Sequence, residues 1–272
     1  MIKLGLFPGV FEMNRFEAMA RAGYDFAEFA IENIIDMTDS EFAKLKKLLS
    51  DSNLEVIALS NPYPSTKNII APEFDFRGFQ EKFKLAAARG VELGCKYIIY
   101  AHGNVRMMPI FGKGIQEHRA LVFETMRLAA ETASSEGLMM LIEITSKNRT
   151  NFCNTFAEAV GLCKEIGSPK VATMCDLRHF MSSGEPYENM VLYKEYIKHI
   201  HIDYPYDEFP TRKFPTLNDD FDYAPFFDAI KRMDYSGGIS VEARSYDDYE
   251  RQITEGLEFF KHFGHVPAKK RT

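Results

Sequence analysis

Eight short apolar runs, rich in β-branched and aromatic residues, alternate with amphipathic helical stretches from one end of the chain to the other. The runs are IKLGLF (2–7), FAEFA (26–30), EVIALS (55–60), KYIIYAH (96–102), LMMLIEI (138–144), KVATMCDL (170–177), IKHIHI (197–202) and GISVEAR (238–244). Runs of this length and composition read as strands. Helical periodicity covers Asn14 to Ala22, Ser40 to Leu49, Phe74 to Leu93, Gln116 to Glu136, Thr155 to Ile166, Glu188 to Tyr196, Ala224 to Lys231 and Asp247 to Phe263. Gly23, Gly94, Gly137 and Gly167 each follow a helical run, as C-terminal caps do. Thr38 with Glu41 has the spacing of a capping box.

Strict strand–helix alternation without a low-complexity linker predicts an α/β protein, a single (β/α)8 TIM barrel. The length, 272 residues, is close to the roughly 250 of one such barrel. The expected domain is 1–272, with 264–272 as a flexible tail. The alternative, an open doubly wound sheet, commonly carries a glycine-rich phosphate loop after its first strand. Here FPGVFEMN follows, with neither G-x-G-x-x-G nor G-K-[ST]. The long connections (61–73, 103–115, 145–154 and 203–223) all follow strands, whereas helix-to-strand turns are short. In a barrel this concentrates loop length on the catalytic face.

Composition narrows the partners. A formal charge of -6 argues against a sequence-independent grip on nucleic acid. No apolar run is long enough to span a membrane, and the first residues lack a signal-peptide pattern. Cys95, Cys153, Cys163 and Cys175 form no C-x-x-C pair, as expected of a reduced, cytoplasmic protein.

Four of the strands end in a metal-ligating side chain: Glu143, Asp176, His201 and Glu242. Side chains alternate faces along a strand. Parity therefore turns Leu141 and Glu143, Met174 and Asp176, His199, His201 and Asp203, and Ser240, Glu242 and Arg244 into the barrel. Three buried carboxylates without a cation would repel one another and lose hydration. One divalent ion removes both problems. An oxygen-rich set with one imidazole suits Mn²⁺ first, with Mg²⁺ or Co²⁺ as alternatives, better than structural Zn²⁺. Four protein ligands leave two octahedral positions, enough for a vicinal hydroxy-ketone.

In LIEI, CDLRH, HIHID and ISVEAR the chain resembles the xylose-isomerase-like barrel family of sugar isomerases and epimerases, in particular its D-tagatose and D-psicose 3-epimerase branch. The resemblance implies a small carbohydrate substrate, a homo-oligomer (dimer or tetramer), and Glu143, Asp176, His201 and Glu242 as metal ligands. It implies proton exchange by Glu143 and Glu242 on opposite faces of a substrate carbon, through a metal-stabilised enediolate. It also implies that His179 and Arg212 contact substrate.

Two departures stand out. Arg149 occupies the place of a further glutamate in the ketose epimerases, so it is a candidate contact for an anionic or otherwise altered substrate. Thr216-Leu217-Asn218 replaces a glycine-rich stretch. His102 and Arg244 are further candidate substrate contacts. Glu28 is a candidate for similar work. Phe7, Phe111, Tyr204, Tyr206 and Phe214 are candidates to cover the substrate. The competing reaction on the same barrel is a metal-dependent dehydration or β-elimination, of the inosose dehydratase or keto-glycoside deglycosidase kind. A multi-metal phosphodiesterase would need more imidazoles than seven histidines supply.

Overall fold

The structure, a computed structural model, describes residues 2–8, 11–61, 68–101, 106, 114–206, 211–244 and 246–265. Its strands are β1 (Lys3–Leu6), β2 (Phe26–Ala30), β3 (Glu55–Ser60), β4 (Tyr97–Tyr100), β5 (Met139–Glu143), β6 (Val171–Asp176), β7 (Ile197–Ile202) and β8 (Gly238–Val241). Each pairs in parallel with the next, and β8 returns to β1, so the sheet closes into a barrel. Every strand falls inside the run expected for it.

The helices are α1 (Met13–Ala22), α2 (Glu32–Ile35), α3 (Asp39–Asp51), α4 (Phe76–Glu92), α5 (Ile115–Ser135), α6 (Phe156–Ile166), α7 (Leu177–Ser183), α8 (Glu188–Leu192), α9 (Ala224–Arg232) and α10 (Tyr249–His262). The four expected capping glycines all have positive φ, between 70° and 107°. Thr38 and Glu41 form the capping box, and Thr155 and Glu158 form a second. Two short helices, α2 and α7, were not anticipated. The eighth helix is shorter than its periodicity suggests. Tyr196 already gives its carbonyl to the Thr173 N–H of β6, so the chain has joined the sheet by then. Of the expected tail, Gly264 and His265 close α10 through hydrogen bonds to Lys261 and Phe260; residues 266–272 lie outside the described residues.

Parity decides what fills the barrel. Phe26, Ile57, Ile99, Leu141 and Met174 form the interior cluster. The residues between them, such as Ala27, Leu59, Ile98, Ile142 and Cys175, pack outward against the helices. All four cysteines are free and buried. Gly5 belongs to this packing: a Cβ there would overlap the Phe26 ring across the β1–β2 pair. Burying such an aromatic contributes roughly 1.5–3 kcal/mol, and the bare Gly5 backbone makes room for it. Among the described residues no helix is long and apolar enough to cross a membrane.

Candidate active site

The C-terminal strand ends bring the four expected ligands together. Glu143 is the last residue of β5 and Asp176 the last of β6. His201 lies in β7, in register with Asp176 on one side and Ser240 of β8 on the other. Glu242 follows β8 directly, its N–H bonded to Ile202 of β7. His201 Nδ1 lies 3.0 Å from Glu242 Oε2, 3.8 Å from Glu143 Oε1 and 3.9 Å from Asp176 Oδ2. One ligand atom from each of the four residues lies within 4.8 Å of the others. All four side chains are buried.

The donor set fits a divalent ion on an observation independent of sequence. Among the described residues, His201 Nδ1 is buried and makes no aligned hydrogen bond, although three carboxylates surround it. Its other nitrogen, Nε2, is 2.8 Å from Glu28 Oε1. A ring nitrogen facing an oxygen cluster without a hydrogen bond is how an imidazole ligand is presented to a metal.

Arg212 completes the charge pattern. Its Nη2 donates to Asp176 Oδ2 at 2.6 Å and its Nε to Asp203 Oδ2 at 2.7 Å, while Nη1 lies 2.7 Å from Glu242 Oε2. Arg178, on α7, also donates to Asp203 Oδ2, at 2.7 and 2.9 Å. The Arg212 segment is laid across the barrel mouth by backbone bonds: Arg244 N–H to Arg212 O and Tyr204 N–H to Lys213 O.

These neighbours separate the carboxylates. Burial, with Asp176 and Glu242 nearby, pushes the Glu143 pKa up to about 8, against the pull of His201 and Arg212. Burial acts in the same direction on Glu242, but Arg212 and His201 outweigh it and hold that pKa at about 2. Asp176 is held far below the ordinary range because Arg212, His179 and His201 overcome its burial. Burial disfavours a charged His201 ring, yet Glu28 and Glu242 win and raise its pKa well above the usual imidazole value.

His179 sits three residues past Asp176, and its backbone N–H bonds to Asp176 Oδ1 at 3.1 Å. The Ser146 N–H donates to His179 Nδ1 at 3.3 Å, and the Ser146 hydroxyl lies 3.0 Å away. Burial lowers the His179 pKa to about 4 despite Asp176. The ring is therefore neutral, with its proton on Nε2.

Arg149 is half-buried on the turn after β5, its N–H bonded to Ser146 O at 2.9 Å. Arg244 is exposed, with Nη2 3.7 Å from Glu242 Oε1. His102 and Phe111 lie outside the described residues. Phe214 is no substrate cover: it is 3% exposed and packs into the space left by Gly256 of α10. Phe7 is also buried. Tyr206 is 58% exposed and contacts Tyr204 and Phe221 edge-on, so it remains a rim residue.

Sequence reasoning placed Glu28 among candidate substrate contacts. The structure puts it beneath the cluster, fully buried, with each oxygen 2.8 Å from an imidazole, His199 Nε2 and His201 Nε2. A carboxylate in mid-strand between apolar neighbours demands a buried partner; that demand was the available signal. The role of Asp203 as shared acceptor for Arg178 and Arg212 was also missed.

The chain is similar to proteins of known activity. It is 27% identical over 252 residues to the L-ribulose 3-epimerase of Methylomonas sp. (strain DH-1), covering 90% of this chain and 83% of the relative. Its fold matches the D-allulose 3-epimerase of Methylomonas sp. with a TM-score of 0.76 at 21% identity, over 96% of each chain. It matches the 3-keto-D-glucoside 4-epimerase of E. coli with a TM-score of 0.80 at 16% identity, over 96% of this chain and 100% of that one. Residues 16–263 match the xylose isomerase-like TIM barrel family, and the chain belongs to that family.

Proposed function

We propose that the protein is a divalent-metal-dependent sugar isomerase or epimerase, which moves a proton at a carbon next to the carbonyl of a keto sugar. The observation that carries this reading is the approach of Glu143 at the end of β5 and Glu242 just after β8 to one imidazole nitrogen, 3.8 and 3.0 Å away. The names of the relatives, ketose 3-epimerases among them, support it.

Glu143, Asp176, His201 and Glu242 would hold the ion, Mn²⁺ by preference for this oxygen-rich set. When bound, the ion supplies Lewis-acid polarisation of a chelated carbonyl and hydroxyl. The chain's own residues do the rest. One glutamate removes the carbon-bound proton and the other returns a proton from the opposite face, which inverts the centre. Both glutamates must be ionised to hold the ion, so the raised pKa of Glu143 and the lowered pKa of Glu242 describe the metal-free protein. The His179 Nε2–H and the Arg212 guanidinium are donors for substrate oxygens. Arg149 and Arg244 stand farther out, where a hydroxyl or an anionic substituent would meet them.

The test is turnover of free ketoses, phosphorylated ketoses and keto-glycosides by the Mn²⁺-loaded protein, with products separated and identified. An epimer or an aldose–ketose isomer supports the proposal. Loss of water or release of an aglycone would replace it with β-elimination.

A further inference from the structure

Inside the barrel, directly below the ligand cluster, Glu28 of β2 stands between two imidazoles of β7. Glu28 Oε1 lies 2.8 Å from His201 Nε2, and Glu28 Oε2 lies 2.8 Å from His199 Nε2. None of the three side chains is more than 1% exposed. The rings are 5.1 Å apart and nearly perpendicular, at 85°, so each offers a different edge to the same carboxylate.

An ionised carboxylate can only accept, so each imidazole must turn an N–H toward it. For His201 this keeps a proton on Nε2, so Nδ1, the nitrogen facing Glu143, Asp176 and Glu242, is the one a cation can take, displacing any proton it carries in the metal-free protein. Among the described residues His199 Nδ1 is buried with no hydrogen-bond partner, and the hydrogen bond that ring makes is with Glu28. His199 thus fixes the second oxygen of Glu28 and, through it, the orientation of the first.

We infer that Glu28, braced by His199, is the positioning residue that makes His201 an Nδ1 ligand. The inference rests on the metal-site reading above but not on any substrate. Removing such a partner of a metal-bound imidazole typically costs 10–100-fold in metal affinity. A glutamine at position 28 offers one acceptor oxygen and one donor NH2, so it cannot receive both N–H groups. It also removes the charge that supports the His201 ring.

Two measurements test this without turnover. Calorimetric titration with Mn²⁺ should show Glu28→Gln binding 10–100-fold more weakly than the unmodified protein. In the Mg²⁺-loaded unmodified protein, imidazole ¹⁵N spectra should place the retained His201 proton on Nε2. Wild-type Mn²⁺ affinity in Glu28→Gln, or a retained proton on His201 Nδ1, overturns the inference. So does a second ion per chain that Glu28→Gln abolishes, because Glu28 would then be a ligand. If the variant fails to fold, the spectrum of the unmodified protein decides alone. If no sugar is turned over, the proposed activity fails while these readouts still stand.

Discussion

Arg212 Nη2 lies 2.6 Å from Asp176 Oδ2, so a guanidinium sits against a carboxylate assigned to the metal. The same arginine reaches Glu242 and Asp203. In the metal-free protein it is the largest of the charges that hold Asp176 and Glu242 ionised against burial, and it opposes the burial that raises the Asp203 pKa to about 6.

Removing it should therefore affect the metal-free protein most. Breaking a buried ion pair by deleting one partner costs about 3–5 kcal/mol, because the remaining charge is left uncompensated. Arg212→Met should lower the thermal midpoint strongly without metal. Saturating Mn²⁺ should restore more stability to the variant than to the unmodified protein. Equal restoration in both would show that Arg212 and the ion do not share this charge.

Glu143→Gln and Glu242→Gln should each lower kcat at least about 100-fold, the lower end of what a positioned acid or base supplies. The measurement is steady-state turnover at metal concentrations shown by titration to saturate each variant. A variant that loses metal but keeps kcat on reloading would exclude its carboxylate from proton transfer.

Stability should depend on pH in a defined window. The Glu143 pKa is raised from 4.5 to about 8 on folding. The folded, metal-free state therefore binds more protons than the unfolded one between these values, and stability falls as pH rises through them. The raised His201 pKa acts in the same direction above its usual value. His179, depressed to about 4, acts oppositely but only below about pH 6.5. From pH 6.5 to 8 the Glu143 contribution alone is about 2 kcal/mol. That corresponds to roughly 4–8 °C in Tm. Thermal scans across this range should show the decline without metal. Glu143→Gln should remove its share and leave that of His201, whereas saturating Mn²⁺ should flatten the decline.

Gly5 and Gly161 should respond in opposite ways to alanine. A Cβ on Gly5 meets the Phe26 ring, whereas one on Gly161, within α6, meets nothing within 4 Å. Gly5→Ala should destabilise by about 1–3 kcal/mol through overpacking. Gly161→Ala should stabilise by about 0.5–1 kcal/mol through helix propensity. Urea unfolding of both variants checks the barrel packing independently of the site.

The barrel and the convergence of its four candidate ligands were legible because they depend on local rules. An apolar run marks each strand, and its parity and end place Glu143, Asp176, His201 and Glu242. What escaped depends on closure. Glu28 on β2 and His199 on β7 meet only across the finished barrel interior. Their partnership has no fixed spacing along the chain. Asp203 could be placed inward by parity, but its capture of Arg178 and Arg212 required the path of the loop after β7. Helix α7 was hidden because it begins at the residue after β6, with Asp176 serving at once as strand end, cap and candidate ligand.

The central claim is proton abstraction next to a ketone by Glu143 and Glu242 at a divalent-metal site. Proton NMR of a turned-over ketose, incubated with Mn²⁺-loaded protein in D2O and then freed of metal, tests it most directly. The account predicts deuterium at the carbon that changes configuration, and its loss in both Glu→Gln variants. A new epimer without deuterium, or full exchange in both variants, would contradict it.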